Sequence, residues 1–219
     1  MSLRVEVDEL ALGGTALVRS LRIEVPPGVA HTVMGPSGCG KSSLLAAVSG
    51  TLDSAFTFRG RIVLDGEPVG QLPPQRRRIG ILFQDDLLFP HMTVRENLLF
   101  AVPPGARAQR EAAVAAALRE LELQGFGDAD PATLSGGQRG RVALMRAILA
   151  EPHALLLDEP FARLDAPLRA RMRQFVFGLL RERRIPALLV THDAADVADA
   201  DHLTRLGPDP GPAASPAGP

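Results

Sequence analysis

Apolar and polar residues alternate from Leu3 to Asp8 and again from Leu17 to Val25, a period of two that predicts half-buried β-strands. Pro26-Pro27-Gly28 then reads as a turn into a short apolar strand, Ala30 to Met34. The glycine-rich stretch that follows runs into a helix over Lys41 to Ser49, closed by Gly50. Arg61 to Leu64 with its Asp65-Gly66 turn predicts a further strand of an antiparallel edge. Ile79 to Phe83 is a short apolar run, the pattern of a strand covered on both faces, and Ala154 to Asp158 and Ala187 to Thr191 read as further core strands.

Between these runs the texture turns helical. Residues 85–150 predict a helical lobe, with Thr93 as N-cap of Val94 to Ala101, an alanine-rich stretch from Arg107 to Leu123, and a helix ending near Ala150. A helix is expected from Pro167 to Arg184. Strands alternating with helices imply an α/β fold with a mostly parallel sheet. Residues 1–206 read as a single domain and 207–219, rich in Gly, Pro and Ala, as a disordered tail.

Composition narrows the function classes. At 219 residues and 46% hydrophobic, the chain can bury one substantial core. A net charge of −1 and the lack of a long basic block argue against nucleic acid as main partner. No apolar run approaches the ~20 residues of a membrane span, and Met1 to Leu10 does not read as a charged-then-apolar signal segment. The single cysteine fits a reducing compartment, so a cytoplasmic location is expected.

Gly35-Pro36-Ser37-Gly38-Cys39-Gly40-Lys41-Ser42-Ser43 lies between a strand and a helix, the context that turns a glycine-rich pattern into a phosphate cradle. Its backbone N–H groups and the helix N-terminus attract anionic oxygens. Lys41 reaches toward β and γ phosphates and Ser42 toward Mg²⁺. Asp158 and Glu159 stand at the C-terminal end of a buried strand, where open α/β sheets bind ligands. Phosphoryl transfer needs positioning, charge neutralisation and an oriented nucleophile, so one acid on the metal side and one on the water side suffice. Ser135-Gly136-Gly137-Gln138 opens another helix and forms a second anion-binding N-terminus. Were both cradles to serve one nucleotide from different lobes, a two-fold, head-to-tail pair of chains would join them. His192 follows the strand Ala187 to Thr191 and emerges at the same edge, whereas His31, His91, His153 and His202 lack such a setting.

Gly35 to Ser42, Gln84, Leu134 to Gln138, Leu155 to Glu159, Leu164-Asp165 and His192 together resemble the nucleotide-binding subunit of an ABC transporter, over nearly the whole chain. The resemblance implies a P-loop NTPase (RecA-like) core with an antiparallel β edge and a helical signature subdomain. It implies ATP and Mg²⁺ as ligands, two cassettes sandwiching two nucleotides, Glu159 as catalytic base and His192 as the residue touching the γ-phosphate. Gln84 would contact metal and attacking water, and Asp165 would lie in the loop that crosses the dimer. Transmembrane permease subunits are the implied partners, with an extracytoplasmic solute-binding protein involved indirectly and the cassette peripheral on the inner face of the membrane. The resemblance implies an importer of a small solute, with thiamine-, polyamine-, iron- and sulfate-type cassettes as its neighbours. A cassette of an exporter or of a lipoprotein-release system, or a soluble ATPase acting on nucleic acid or ribosomes, is the competing class.

Leu87, Leu88 and Phe89 are adjacent apolar residues in an expected loop, in the segment that resembles the permease-docking region of importer cassettes. The alternative is that they fold back into the helical lobe. Arg76-Arg77-Arg78 reads as a solvated run. Three positions depart from the family pattern. No aromatic residue precedes Phe56, leaving Leu12 as the nearest substitute for the usual adenine-stacking side chain. Ala162 stands where serine is common, and Gly140 interrupts the helix after the signature at a cost of ~1 kcal/mol relative to alanine. The chain ends soon after His192, so the regulatory domain of longer sugar-type cassettes is expected to be absent.

Overall fold

A computed structural model describes residues 1–162 and 164–207. β1 (Leu3–Leu12) pairs antiparallel with β2 (Thr15–Val25) through a tight turn at Gly13-Gly14, and on its other side with β4 (Phe56–Leu64). With the short β5 (Glu67–Pro68), these form a four-stranded sheet in the order β2-β1-β4-β5. The second sheet has five parallel strands in the order β6-β7-β8-β3-β9: β6 (Ile79–Leu82), β7 (Ala154–Asp158), β8 (Ala187–Thr191), β3 (Ala30–Met34) and β9 (Leu203–Arg205).

The apolar strands are continuous because both faces of the parallel sheet are covered. On one face, Val33, Ala154, Leu156, Leu188 and Val190 pack with α1 (Lys41–Ser49) and the antiparallel sheet. On the other, Leu155, Leu157, Ala187 and Leu189 join a core built largely from α2 (Val94–Ala101), α3 (Arg107–Glu120), α4 (Gly136–Leu149) and α5 (Ala166–Arg183). The α/β architecture, parallel sheet and antiparallel edge are those expected of a P-loop NTPase.

Several boundaries differ from the sequence expectation. β1 continues past Asp8 to Leu12, and β4 begins at Phe56 rather than Arg61. The two strands shift register between Val7 and Glu9, so a bulge there breaks the period of two. α3 stops at Glu120 because Glu122 adopts φ +59°, yet Leu121 and Leu123 remain fully in the core. β9 lacked a pattern long enough to be read. The expectation for 207–219 falls, apart from Gly207, outside the described residues.

The arginine run is not uniformly solvated. Arg77 is buried, its guanidinium donating to the carbonyls of Ala47 and Val48 at the end of α1 and to those of Gly70 and Leu72. Burial lowers its pKa, and the four carbonyls supply the acceptors that a buried guanidinium requires.

Candidate active site

Because the second sheet is parallel, the C-terminal ends of β3, β6, β7 and β8 share one edge. β3 runs into the phosphate loop, β6 toward Gln84, β7 into Asp158-Glu159 and β8 into His192. Gly40, the N-cap of α1, sits at φ +96° and caps with no side chain, so the first-turn N–H groups remain directed at an incoming anion. Lys41 is nearly buried, and its Nζ donates to the carbonyls of Gly35 (2.8 Å) and Pro36 (2.9 Å).

The acids lie directly across this loop. Ser42 Oγ donates to Asp158 Oδ1 at 3.2 Å. Burial raises the Asp158 carboxyl above its ordinary range, with the Ser42 hydrogen bond opposing and the neighbouring Glu159 adding to the rise. Glu159 Oε1 lies 3.9 Å from Lys41 Nζ and Oε2 lies 3.0 Å from His192 Nδ1. Glu159 is held at φ +45°, a region that costs a β-carbon-bearing residue strain, and its N–H donates to Val190 O across the adjoining strand.

Ser37, Gly38, Gly40, Lys41, Ser42, Ser43 and Glu159 line one open pocket of about 330 Å³ together with Leu12, Leu17 and Phe56. Gly35 and Pro36 frame it through the Lys41 hydrogen bonds, whereas Cys39 is half-buried and is not among the lining residues. The Leu12 expected at the apolar end is therefore joined by an aromatic ring from β4. The sequence pattern starts this strand at Arg61 and leaves the ring outside it; the strand extends to Phe56, which pairs with Leu12.

The signature residues stand apart from this pocket. Ser135 caps α4: its Oγ accepts from Gln138 N, while Gln138 Oε1 accepts from Ser135 N at 2.8 Å. A Cβ on Gly137 would come within 2.6 Å of Leu168 on α5, so glycine permits this close helix packing. Gly136, Gly137 and Gln84 line a separate cavity of about 140 Å³ with Pro160, Phe161 and Leu164. Asp165 caps α5 through Oδ1 and Leu168 N at 2.9 Å. The fold thus brings together Lys41, Ser42, Asp158, Glu159 and His192. Gln84, Ser135, Gly136, Gly137, Gln138 and Asp165 line no part of the phosphate-loop pocket.

Other residues hold His192 in place and gave no motif in the sequence. Thr191 Oγ1 donates to the buried Asp196 at 3.1 Å and accepts from Asp193 N at 3.1 Å. Asp193 pairs with Arg169, and Arg173 donates to the Ala195 carbonyl, tying the turn to α5.

A third feature flanks α4. A groove of about 440 Å³ is lined by Leu87, Phe89 and Phe100, with Ala143 and Ala147 of α4 among its other walls. Leu87 and Phe100 are 55% and 63% exposed, whereas Leu88 packs against the core, so the apolar triplet divides between surface and interior. The loop is braced from behind: buried Asn97 bonds the Phe89 and Met92 backbone, and Arg146 donates to Leu87 O at 2.8 Å while lying over the Phe89 ring. Leu87 itself is at φ +45°.

The ABC transporter family model matches residues 18–162. The chain is 49% identical over 196 residues to an uncharacterized ABC transporter ATP-binding protein, YnjD, of Escherichia coli (strain K12), covering 89% of this chain and 90% of that one. It is 47% identical over 176 residues to the thiamine import ATP-binding protein ThiQ of Cereibacter sphaeroides, covering 80% and 75%. It is 41% identical over 222 residues to the Fe(3+) ions import ATP-binding protein FbpC 3 of Rhodococcus jostii, covering 94% of this chain and 63% of that one. With its phosphate loop, carboxylate pair and histidine converging at one sheet edge, the chain belongs to the ABC transporter family and is an ATP-binding ATPase.

Proposed function

We propose that this ATPase works as a head-to-tail pair of cassettes and powers solute import through a separate membrane permease. The observation that carries the reading is the division of phosphate-binding features. Lys41, Ser42 and Glu159 line one pocket, with Asp158 bonded to Ser42 and His192 beside Glu159, while the signature N-terminus of α4 opens elsewhere, in a cavity sharing no lining residue with it. A second copy turned by two-fold symmetry supplies the missing signature to each phosphate loop, with Ser135, Gly136, Gly137 and Gln138 facing the nucleotide from the partner and Asp165 in the crossing loop.

Within each site, Lys41 and the loop amides bind the phosphates, Glu159 orients and deprotonates the attacking water, and His192 steadies the γ-phosphate. Gln84 closes on the water from the β6 end. Ser42 Oγ and Asp158 Oδ1, hard oxygens 3.2 Å apart at the loop, would hold the protein side of a Mg²⁺ ion, and Gln84, which lines the neighbouring cavity, would join them on closure of the pair. Mg²⁺, when bound, neutralises charge on the transferring phosphoryl group. Among the described residues no cluster of His, Cys, Asp and Glu would hold a metal alone, which agrees with a cation carried largely by the nucleotide.

Residues 1–206 act as one unit, with the helical segment of about 85–150 inserted in it. The groove beside Leu87 and Phe100 receives the permease: it is apolar, exposed and backed by a hydrogen-bonded frame. No helix among the described residues is long and apolar enough to cross a membrane, and docking there makes the cassette peripheral on the inner face. The import relatives support the direction of transport, with a solute-binding protein delivering cargo to the permease from outside.

The test is Glu159→Gln with MgATP. The amide keeps the shape and loses the base, so nucleotide still binds, hydrolysis nearly ceases, and the ATP-bound pair accumulates as a larger species on sizing chromatography. Near-normal turnover would reject the assignment of the base.

A further inference from the structure

We infer that Phe56 is the platform on which the nucleotide base stacks, so that this chain recruits its aromatic contact from β4 rather than from the strand leading to the Gly13-Gly14 turn. The inference rests on the reading of the phosphate loop as an ATP site, and it assigns the opposite end of the same pocket.

The pocket has two chemically distinct ends. Lys41, Ser42, Ser43 and the loop glycines make the polar end, whereas Leu12, Leu17 and Phe56 make an apolar one, with Phe56 its sole aromatic lining residue. The strand register explains their meeting: Leu12 is the Cα partner of Phe56 across β1 and β4, and of Thr15 across the hairpin. Leu17 lies against the phosphate loop itself, since its Cβ would be 3.0 Å from a Cβ on Gly40. The apolar wall therefore adjoins the loop without an intervening polar layer.

Phe56 is suited to this place by its support. It is half-buried, packed against the core of the antiparallel sheet, and its N–H donates to Asp53 O at 3.0 Å. A ring held along one side offers the rest of its surface at little entropic cost, while Leu12, 43% exposed, covers the neighbouring position. An aromatic face is shared by every base, and this end of the pocket adds no hydrogen-bonding side chain among Leu12, Leu17 and Phe56. Phe56 thus confers affinity for nucleotide over bare polyphosphate and discriminates little between adenine and guanine.

The chain contains no Trp and no Tyr, which makes the test direct. Wild type, Phe56→Ala, Phe56→Trp and Phe58→Trp are titrated with MgATP and with magnesium tripolyphosphate by calorimetry and, for the tryptophan variants, by emission. Phe58 lies on the same strand, paired with Leu10, and does not line the pocket. Phe56→Ala is expected to weaken MgATP about tenfold and to leave tripolyphosphate within about twofold. The Phe56→Trp emission should respond to MgATP and not to tripolyphosphate, and that of Phe58→Trp to neither. Unchanged ATP affinity in Phe56→Ala, equal weakening of both ligands, or an indifferent Phe56→Trp emission would overturn the inference while leaving the ATP site intact. Failure of wild type to bind either ligand would overturn both. Should Phe56→Ala not fold, the emission arm decides alone.

Discussion

Glu159 Oε2 lies 3.0 Å from His192 Nδ1, joining the end of β7 to the end of β8 through side chains separated by a single strand-to-strand step. The carboxylate is thereby held on one side by His192 and approached on the other by Lys41, at 3.9 Å. Two cationic or hydrogen-bonding groups aim one carboxylate at the mouth of the phosphate loop, and its backbone is strained to φ +45° to permit this.

His192→Ala should therefore lower kcat by roughly a hundredfold or more, the scale of a positioned proton-handling or charge-stabilising group. Nucleotide affinity should change little, because Lys41 and the loop amides remain. Steady-state kinetics separating kcat from KM, with calorimetric binding of MgATP, check this; a rise in KM with kcat unchanged would assign His192 to ground-state binding.

Asp158 provides a pH signature. Its carboxyl is raised by burial, so the folded state holds a proton more tightly than the unfolded chain, and stability falls as pH rises from the ordinary value of 3.8 through the raised one. Asp158→Asn removes a charge that the fold dislikes. It should raise the melting temperature at neutral pH, lose that advantage in acid where the native carboxyl is protonated, and abolish Mg²⁺-dependent hydrolysis. Equal melting shifts at acid and neutral pH would show that the change acts through packing.

The exposed groove predicts a coupling variant different from the one the apolar triplet suggests. Since Leu88 is packed inward, the pair to replace is Leu87 and Phe100. Leu87→Ser with Phe100→Ser should retain the isolated chain's ATPase and its melting temperature to within a few degrees. In reconstituted complexes it should lose stimulation of hydrolysis by the permease. Loss of basal activity or of folding would place both side chains in the interior.

Gly178 lies in the middle of α5, and a Cβ there would meet nothing within 4 Å. Gly178→Ala should stabilise the fold by roughly 0.5–1 kcal/mol, through the entropy of the unfolded chain and helix propensity. For a chain of this size that is about 2–4 °C per kcal/mol in melting temperature. Gly140→Ala should act in the same direction, since its nearest contacts are Asp86 at 3.6 Å and Met172 at 4.0 Å. Thermal melts of the single and double variants test whether the two gains add.

By itself the sequence determined what local pattern can encode. The runs before Asp158 and His192, ALLL and ALLVT, are apolar almost throughout and so announce strands covered on both faces, and parallel pairing then carries their C-terminal residues to one edge. Thr93 announced its helix as a local N-cap and Ser135 to Gln138 announced another as a glycine-rich N-terminus, and the structure completes a capping box at each, with Glu96 and Gln138. Tertiary structure alone decided the remainder, because those outcomes depend on contacts between distant segments. The meeting of Phe56 with Leu12 requires the register of β1 on β4, set beyond a bulge that erases the alternation. Arg77 is buried only because α1 ends with its carbonyls turned toward it, a satisfaction that no property of an arginine triplet foretells. Leu87 faces out and Leu88 in because Arg146 and Asn97, remote in sequence, fix the backbone between them and Phe89.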